Sequence, residues 1–175
     1  MWNTLIGNSK TSDAANDRNH EFLYNLTRVE AAFGFGYSFI LLSLGAIFTG
    51  LVFLAITLIC FPAIILLNKH KFEVSARLLL ISCGLIYIYS ANIGIKFDLG
   101  AEFYYLPLMM LSLLVFDVRQ KKEVIVGMGL PLIAWIIGRW GTRPELPAAW
   151  MPIDFPDELF RTISFLGSFF LTAIF

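Results

Sequence analysis

Charge is what this sequence has least of. Only 15% of its 175 residues are Asp, Glu, Lys or Arg, and Tyr37 to Leu67 contains none of them. A soluble domain carries about 25% charged residues, so a water-solvated globule does not fit. Thirteen basic residues balance thirteen acidic ones, which gives no support to a nucleic-acid partner. Cysteine is nearly absent. Cys60 and Cys83 both lie inside apolar runs, where they read as small buried hydrophobes rather than as a disulfide framework or metal site. The two histidines, His20 and His70, lie outside the apolar runs, which argues against a haem held by two imidazoles within the membrane. No P-loop, HExxH, GxSxG or phosphoryl-transfer signature occurs, so no catalytic residue and no metal ligand is assigned. A cleavable signal is missing too, because the first thirty residues are polar where a signal needs an apolar core.

What is present is hydrocarbon. The chain is 58% hydrophobic, above the roughly 45–50% of soluble domains. The expected fold class is all-α, a polytopic membrane bundle of six transmembrane helices. Residues 1–20 read as a loosely attached cytoplasmic tail, and 21–175 as one transmembrane sensor or regulatory domain. Glu21 to Glu30 has its apolar residues at helical spacing and suits an entry helix. The run from Ala31 to Leu67 would extend about 55 Å as a single helix, far beyond about 30 Å of hydrocarbon. It divides into spans near Leu26–Leu44 and Thr49–Leu67, with a turn near Gly45–Gly50. One long tilted helix, giving five spans, is the alternative. Further spans are expected near Ser75–Ile95, Leu99–Phe116 and Val124–Trp140, the last two containing Pro107 and Pro131. Gly141 to Phe155 is rich in proline and reads as an interfacial loop. The sixth span begins near Pro156, with Asp157 and Glu158 in its first turn.

The short loops set the orientation. Lys69, Lys71 and Arg77 follow the second span, and Arg119, Lys121 and Lys122 follow the fourth. The positive-inside rule places both loops in the cytoplasm. Six spans then bring both termini there, against the weaker opposing vote of Arg139, Arg143 and Arg161. The sixth span reaches Phe175 with no polar stop, so a cytoplasmic continuation is expected.

Few groups in the spans invite chemistry. Arg28 and Glu30 are expected at the inner end of the first span, snorkelling or paired. The spans show neither the intramembrane carboxylates of a proton-coupled pump nor an inverted repeat of broken helices. Tyr87, Ser90 and Asn92 near the outer end of the third span face Glu102, Tyr104, Tyr105 and Met109 of the fourth if the two are antiparallel neighbours. Aromatic walls with a few polar groups form a candidate pocket for a small or lipophilic ligand. An interfacial aromatic belt with a hydrogen bond through Asn92 is the plainer alternative. Ala32/Gly36 and Ala46/Gly50 have small-xxx-small spacing, which permits close helix approach.

The stretch LLNKHKFEVSARLLLISCGLIYIYSANIG followed by EFYYLPLMMLSLLVFDVRQKKE resembles the six-helix membrane input module of bacterial signalling proteins. The features that carry the resemblance are Leu67-Asn68, Ala76-Arg77, Gly100, Leu106-Pro107-Leu108 and Phe116-Asp117. In that group the module precedes a class III adenylate or guanylate cyclase or a histidine kinase. The resemblance implies a receptor-like domain in the bacterial inner membrane, working as a homodimer and controlling a cytoplasmic effector. No cofactor belongs to this segment; Mg and ATP or GTP enter only with an effector. The face Ser164, Gly167, Ser168 and Leu171 of the last span has i, i+3, i+4, i+7 spacing and is the candidate dimer contact. A small transporter or channel and a membrane anchor subunit are the alternatives. The topology is tested by thiol labelling of intact cells. Lys71→Cys and Lys121→Cys should resist an impermeant reagent while Thr142→Cys reacts. Labelling at either lysine position from outside overturns the orientation.

Overall fold

The computed structural model describes residues 2–94, 101–116 and 120–140, together with Pro147, Thr162 and Phe165; in the first helix side chains are described from His20 onward. Its regular structure is helical throughout. The helices are α1 (Trp2–Ser43), α2 (Ile47–Lys69), α3 (Glu73–Gly94), α4 (Tyr105–Val115), entered through a 3-10 turn at Ala101–Tyr104, and α5 (Lys121–Trp140). Three of them, α2, α3 and α5, are long and apolar enough to cross a membrane. The chain is therefore a helical membrane protein. Of the expected sixth span Thr162 and Phe165 are described; Ser164, Gly167, Ser168 and Leu171 lie outside the described residues, as does nearly all of 141–155.

The division of the long apolar run is visible in its backbone. Gly45 takes φ 81°. The Ala46 amide donates to Leu41 O at 2.9 Å and the Gly45 amide to Leu42 O at 3.1 Å. This pair of bonds closes a helix end around a left-handed residue, which glycine adopts without steric cost. The turn therefore comes a residue or two earlier than Gly45–Gly50 suggests, and α2 begins at Ile47. The end of α2 repeats the motif: Phe72 donates to Leu67 O at 2.9 Å and Lys71 to Asn68 O at 3.1 Å. The left-handed residue here is Lys71, at φ 63°, and a side chain in that conformation costs roughly 1–2 kcal/mol.

α2 is not a uniform α-helix. Ile56–Cys60 forms a π-helical turn, closed by the Phe61 amide donating to Ile56 O. Pro62 follows at once. A proline donates no backbone bond and crowds the carbonyl four residues back, and widening the preceding turn relieves both problems.

Residues 2–20, read from sequence as a loose tail, continue α1 as helix. They contain no proline, and once a helix is nucleated each further residue adds at little cost. Among the described side chains of α1 the buried residues are Leu23, Thr27, Gly34, Ser38 and Leu41, spaced 4, 7, 4 and 3 apart, so one stripe faces the bundle. α3 is central, packing against α2, α4 and α5 and touching α1. Phe61 and Ile64 of α2, Ala76, Leu80, Ile81 and Cys83 of α3, and Leu108, Leu111 and Phe116 of the α4 hairpin form the core. Large apolar side chains also cover the outside, with Ile59 68% and Ile125 70% exposed. That inverted surface is what lipid solvates.

Small residues set the helix spacing. A Cβ on Gly127 would lie 3.0 Å from Ser112 Cβ and from the Phe116 ring, whereas one on Gly129 would meet nothing within 4 Å. Gly36 likewise meets nothing within 4 Å, while Gly50 lies against Leu42. Of the two small-xxx-small pairs, the second is thus used in the α1–α2 turn and Gly36 faces outward. Gly127→Ala should destabilise the α4–α5 hairpin by about 1–3 kcal/mol, the cost of overpacking. Gly129→Ala should leave stability unchanged or higher. Thermal unfolding of both variants in one detergent checks this, and equal midpoints refute the packing account.

Candidate functional site

Five polar side chains meet at the basic end of the bundle, where the α2–α3 and α4–α5 connections lie. Asn68, in the last turn of α2, donates from Nδ2 to the His20 carbonyl oxygen at 3.1 Å. That bond fixes the amide and turns Oδ1 toward the His20 ring, 2.7 Å from Nδ1. The other ring nitrogen, Nε2, lies 2.7 Å from Glu73 Oε1. Both ring nitrogens thus lie within hydrogen-bond distance of a side-chain oxygen. The second carboxylate oxygen of Glu73 accepts from Arg77 NH2 at 2.9 Å, and Arg77 NH1 donates to Gln120 Oε1 at 3.1 Å. Arg77 is 2% exposed. A guanidinium has donors enough to serve two acceptors at once, which a lysine in the same place does not match geometrically. The relay therefore joins α1, α2, α3 and the residue that leads into α5.

Sequence reasoning took Asn68 and Arg77 for their part in the resemblance and missed His20 and Gln120 as their partners. His20 was assigned to a tail, and nothing local in the sequence links it to residues 48 and 53 positions away.

The relay also sets the depth of α1. His20 is level with the α2–α3 junction, so Glu30, ten residues on, lies about 15 Å further into the bundle at 1.5 Å per residue. Arg28 and Glu30 therefore stand two to three turns along α1 from His20. Arg28 holds its guanidinium 5.5 Å from the centre of the Tyr24 ring. Tyr24 is one turn closer to the basic end, the direction in which a snorkelling cation reaches. Glu30 is half-buried.

The middle of the bundle holds a second polar group. Tyr87 lies 3.1 Å from Thr57 Oγ1 and donates to Phe53 O at 3.4 Å, with its ring 4.1 Å from that of Phe53. Gly34 allows α1 to close over both hydroxyls; a Cβ there would lie 2.5 Å from Thr57 Oγ1 and 2.6 Å from the Tyr87 oxygen. Thr57 sits in the π-helical turn. Ser90 is buried, its hydroxyl donating to Tyr87 O at 3.0 Å and its carbonyl accepting from Thr49 at 3.0 Å.

Of the remaining candidate ligand residues, Tyr105 is 3% exposed. Its hydroxyl lies 3.7 Å from where a Cβ of Gly138 on α5 would stand. Asn92, Tyr104 and Met109 are half-buried. The side chain of Glu102 lies outside the described residues. Tyr87 and Ser90 thus turn toward α2, while Tyr105 approaches α5. A concavity of about 530 Å³ lies at the basic end instead, walled in part by His20 and Asn68. Among the described residues no group of three His, Cys, Asp or Glu side chains could hold a metal ion.

Comparisons with family models, with curated proteins and with solved structures find no match.

Arg77→Ala should destabilise the bundle by about 3 kcal/mol, the low end for breaking a buried ion pair, because Glu73 keeps some solvent access. Arg77→Lys should recover less than half of that. Thermal or denaturant unfolding in detergent reads both. Full recovery by lysine would show that charge alone, without the two-sided donor geometry, explains the contact.

Proposed function

We propose that this chain is the membrane-embedded regulatory domain of a signalling protein, acting as a homodimer upon a cytoplasmic nucleotide cyclase or histidine kinase. The observation that carries this reading is the relay His20–Asn68–Glu73–Arg77–Gln120. Two of its members, Asn68 and Arg77, belong to the motif on which the resemblance rests. A regulatory bundle needs helix ends that move together between two arrangements. In this relay no helix end shifts without breaking or carrying its neighbours. A hydrogen bond to a charged group contributes about 1.5–3 kcal/mol, the scale on which a modest stimulus shifts a two-state balance. With six spans, the positive-inside rule puts the relay on the cytoplasmic side, beside the effector.

Glu30, half-buried on α1 and about 15 Å from the level of His20, favours one other reading, a small transporter, since a carboxyl within a membrane bundle is a common element of proton-coupled flux.

Both readings meet one experiment. The catalytic domain of a class III cyclase, inactive as a monomer, is joined after Phe175 and expressed in a bacterium lacking its own cyclase. The fusion should raise cAMP. His20→Ala and Asn68→Ala should change the output several-fold at equal membrane level, and Ser164→Cys or Ser168→Cys should cross-link protomers. A silent, well-inserted fusion that forms no cross-link anywhere in its last span overturns the regulatory reading. A solute flux abolished by Glu30→Gln selects the transporter.

A further inference from the structure

We propose that the concavity at the basic end binds the headgroup of an anionic phospholipid. The cavity, about 530 Å³, lies between α1 and the last turns of α2. Tyr24 and Ile65 form its side toward the apolar body, and Lys69 and Lys71 stand on the side where α2 ends. The depth is right for a lipid. The apolar run of α2 stops at Leu67, and Leu66 and Phe72, next to that end in the chain, are 56% and 61% exposed. Acyl chains thus reach the apolar side of the cavity while a headgroup meets the amines, a division that a free phosphate does not need.

Charge favours an anion. Neither lysine takes part in the ion pairs that Glu73 makes with His20 and Arg77. Glu21 also lines the cavity, leaving the two lysines in excess of one carboxylate. Basic residues at the boundary of a span attract anionic lipids through the surface field as well as by contact.

Lys71 supplies a further reason. It is the left-handed residue of the turn that closes α2, a position that glycine fills without strain. A lysine there costs stability, and strained residues of this kind concentrate at ligand clamps. The turn holds Lys71 two residues after Lys69, and both residues line the one opening.

The inference depends on the membrane placement and not on the effector proposed above. Its test is lipid retention by the purified full chain, read by native mass spectrometry, with phosphatidylglycerol against phosphatidylcholine of the same acyl chains. Phosphatidylglycerol should be retained preferentially. Lys71→Gly keeps and even relaxes the turn, so it removes the amine without threatening the fold. It should weaken phosphatidylglycerol binding about fivefold, and with Lys69→Gln about twenty-fivefold in all, at roughly one surface-lysine contribution each. Lys121→Gln with Lys122→Gln, charges at the same end but away from the cavity, should leave retention unchanged. Retention by Lys71→Gly/Lys69→Gln equal to wild type overturns the proposal. Equal retention of the two lipids, or equal loss in the Lys121/Lys122 control, overturns it as well. Displacement of the lipid by glycerol phosphate at similar concentration would assign the site to a free phosphate compound instead.

Discussion

Lipid as solvent is the constraint on which the rest of this structure depends. Hydrocarbon exerts no hydrophobic pressure that drives one apolar helix onto another, so association rests on close packing and on satisfying every polar group internally. The hydroxyls obey this rule. Thr27, Ser38, Thr57, Ser82 and Ser112 each donate to the carbonyl four residues earlier in their own helix. A serine or threonine satisfied in this way is a small, nearly apolar surface that another helix can approach. Glycine completes the effect: Gly34 against Thr57 and Tyr87, Gly84 against Leu108, and Gly94 against Thr49 and Phe48. These approaches place α1 and α2 on the two sides of Tyr87 and make α3 the common neighbour of the bundle.

Charge, by contrast, gathers where the apolar runs end. Glu73 serves His20 with one oxygen and Arg77 with the other, and Asn68 holds both the ring and the backbone of His20. The arrangement removes three ionisable groups from the lipid boundary by pairing them. It also fixes the height of α1 against the rest of the bundle, because His20 can meet both partners only at one register. The height of Arg28 and Glu30 relative to the α2–α3 junction follows from that register and from nothing in α1 itself.

This is why the sequence yielded some features and hid others. Helix boundaries were legible where a local signal decides them. The absence of charge over Tyr37–Leu67 and a glycine near its middle were enough to divide α1 from α2. The basic loops after Leu67 and Phe116 marked the α2–α3 and α4–α5 connections. The π-helical turn had a signal too, in Pro62, but a proline within an apolar run permits several outcomes and only the packing selects one. What stayed hidden was register. Tyr87, Tyr104 and Tyr105 of the candidate group pack in one apolar cluster, but their polar neighbours are not readable from spacing. In the structure Tyr87 and Ser90 turn toward α2 and Tyr105 toward α5, because α3 has neighbours on several sides and a helical periodicity does not say which neighbour each face meets. His20 failed for the same reason at longer range.

The relay and the concavity share two residues, and this joins the structural and functional arguments. His20 and Asn68 are members of the hydrogen-bonded chain and also line the cavity. Whatever occupies that space therefore does so against side chains whose positions are set by Glu73 and, through it, by Arg77 and Gln120. Linkage makes the consequence reciprocal: an occupant that prefers the paired His20–Asn68 arrangement strengthens the relay by the same free energy that the relay contributes to its binding. An occupant indifferent to the arrangement shifts nothing, however tightly it is held. The end of the bundle where the apolar runs stop is thus where a change in one helix is carried to its neighbours, because His20, Asn68, Glu73 and Arg77 hold one another there.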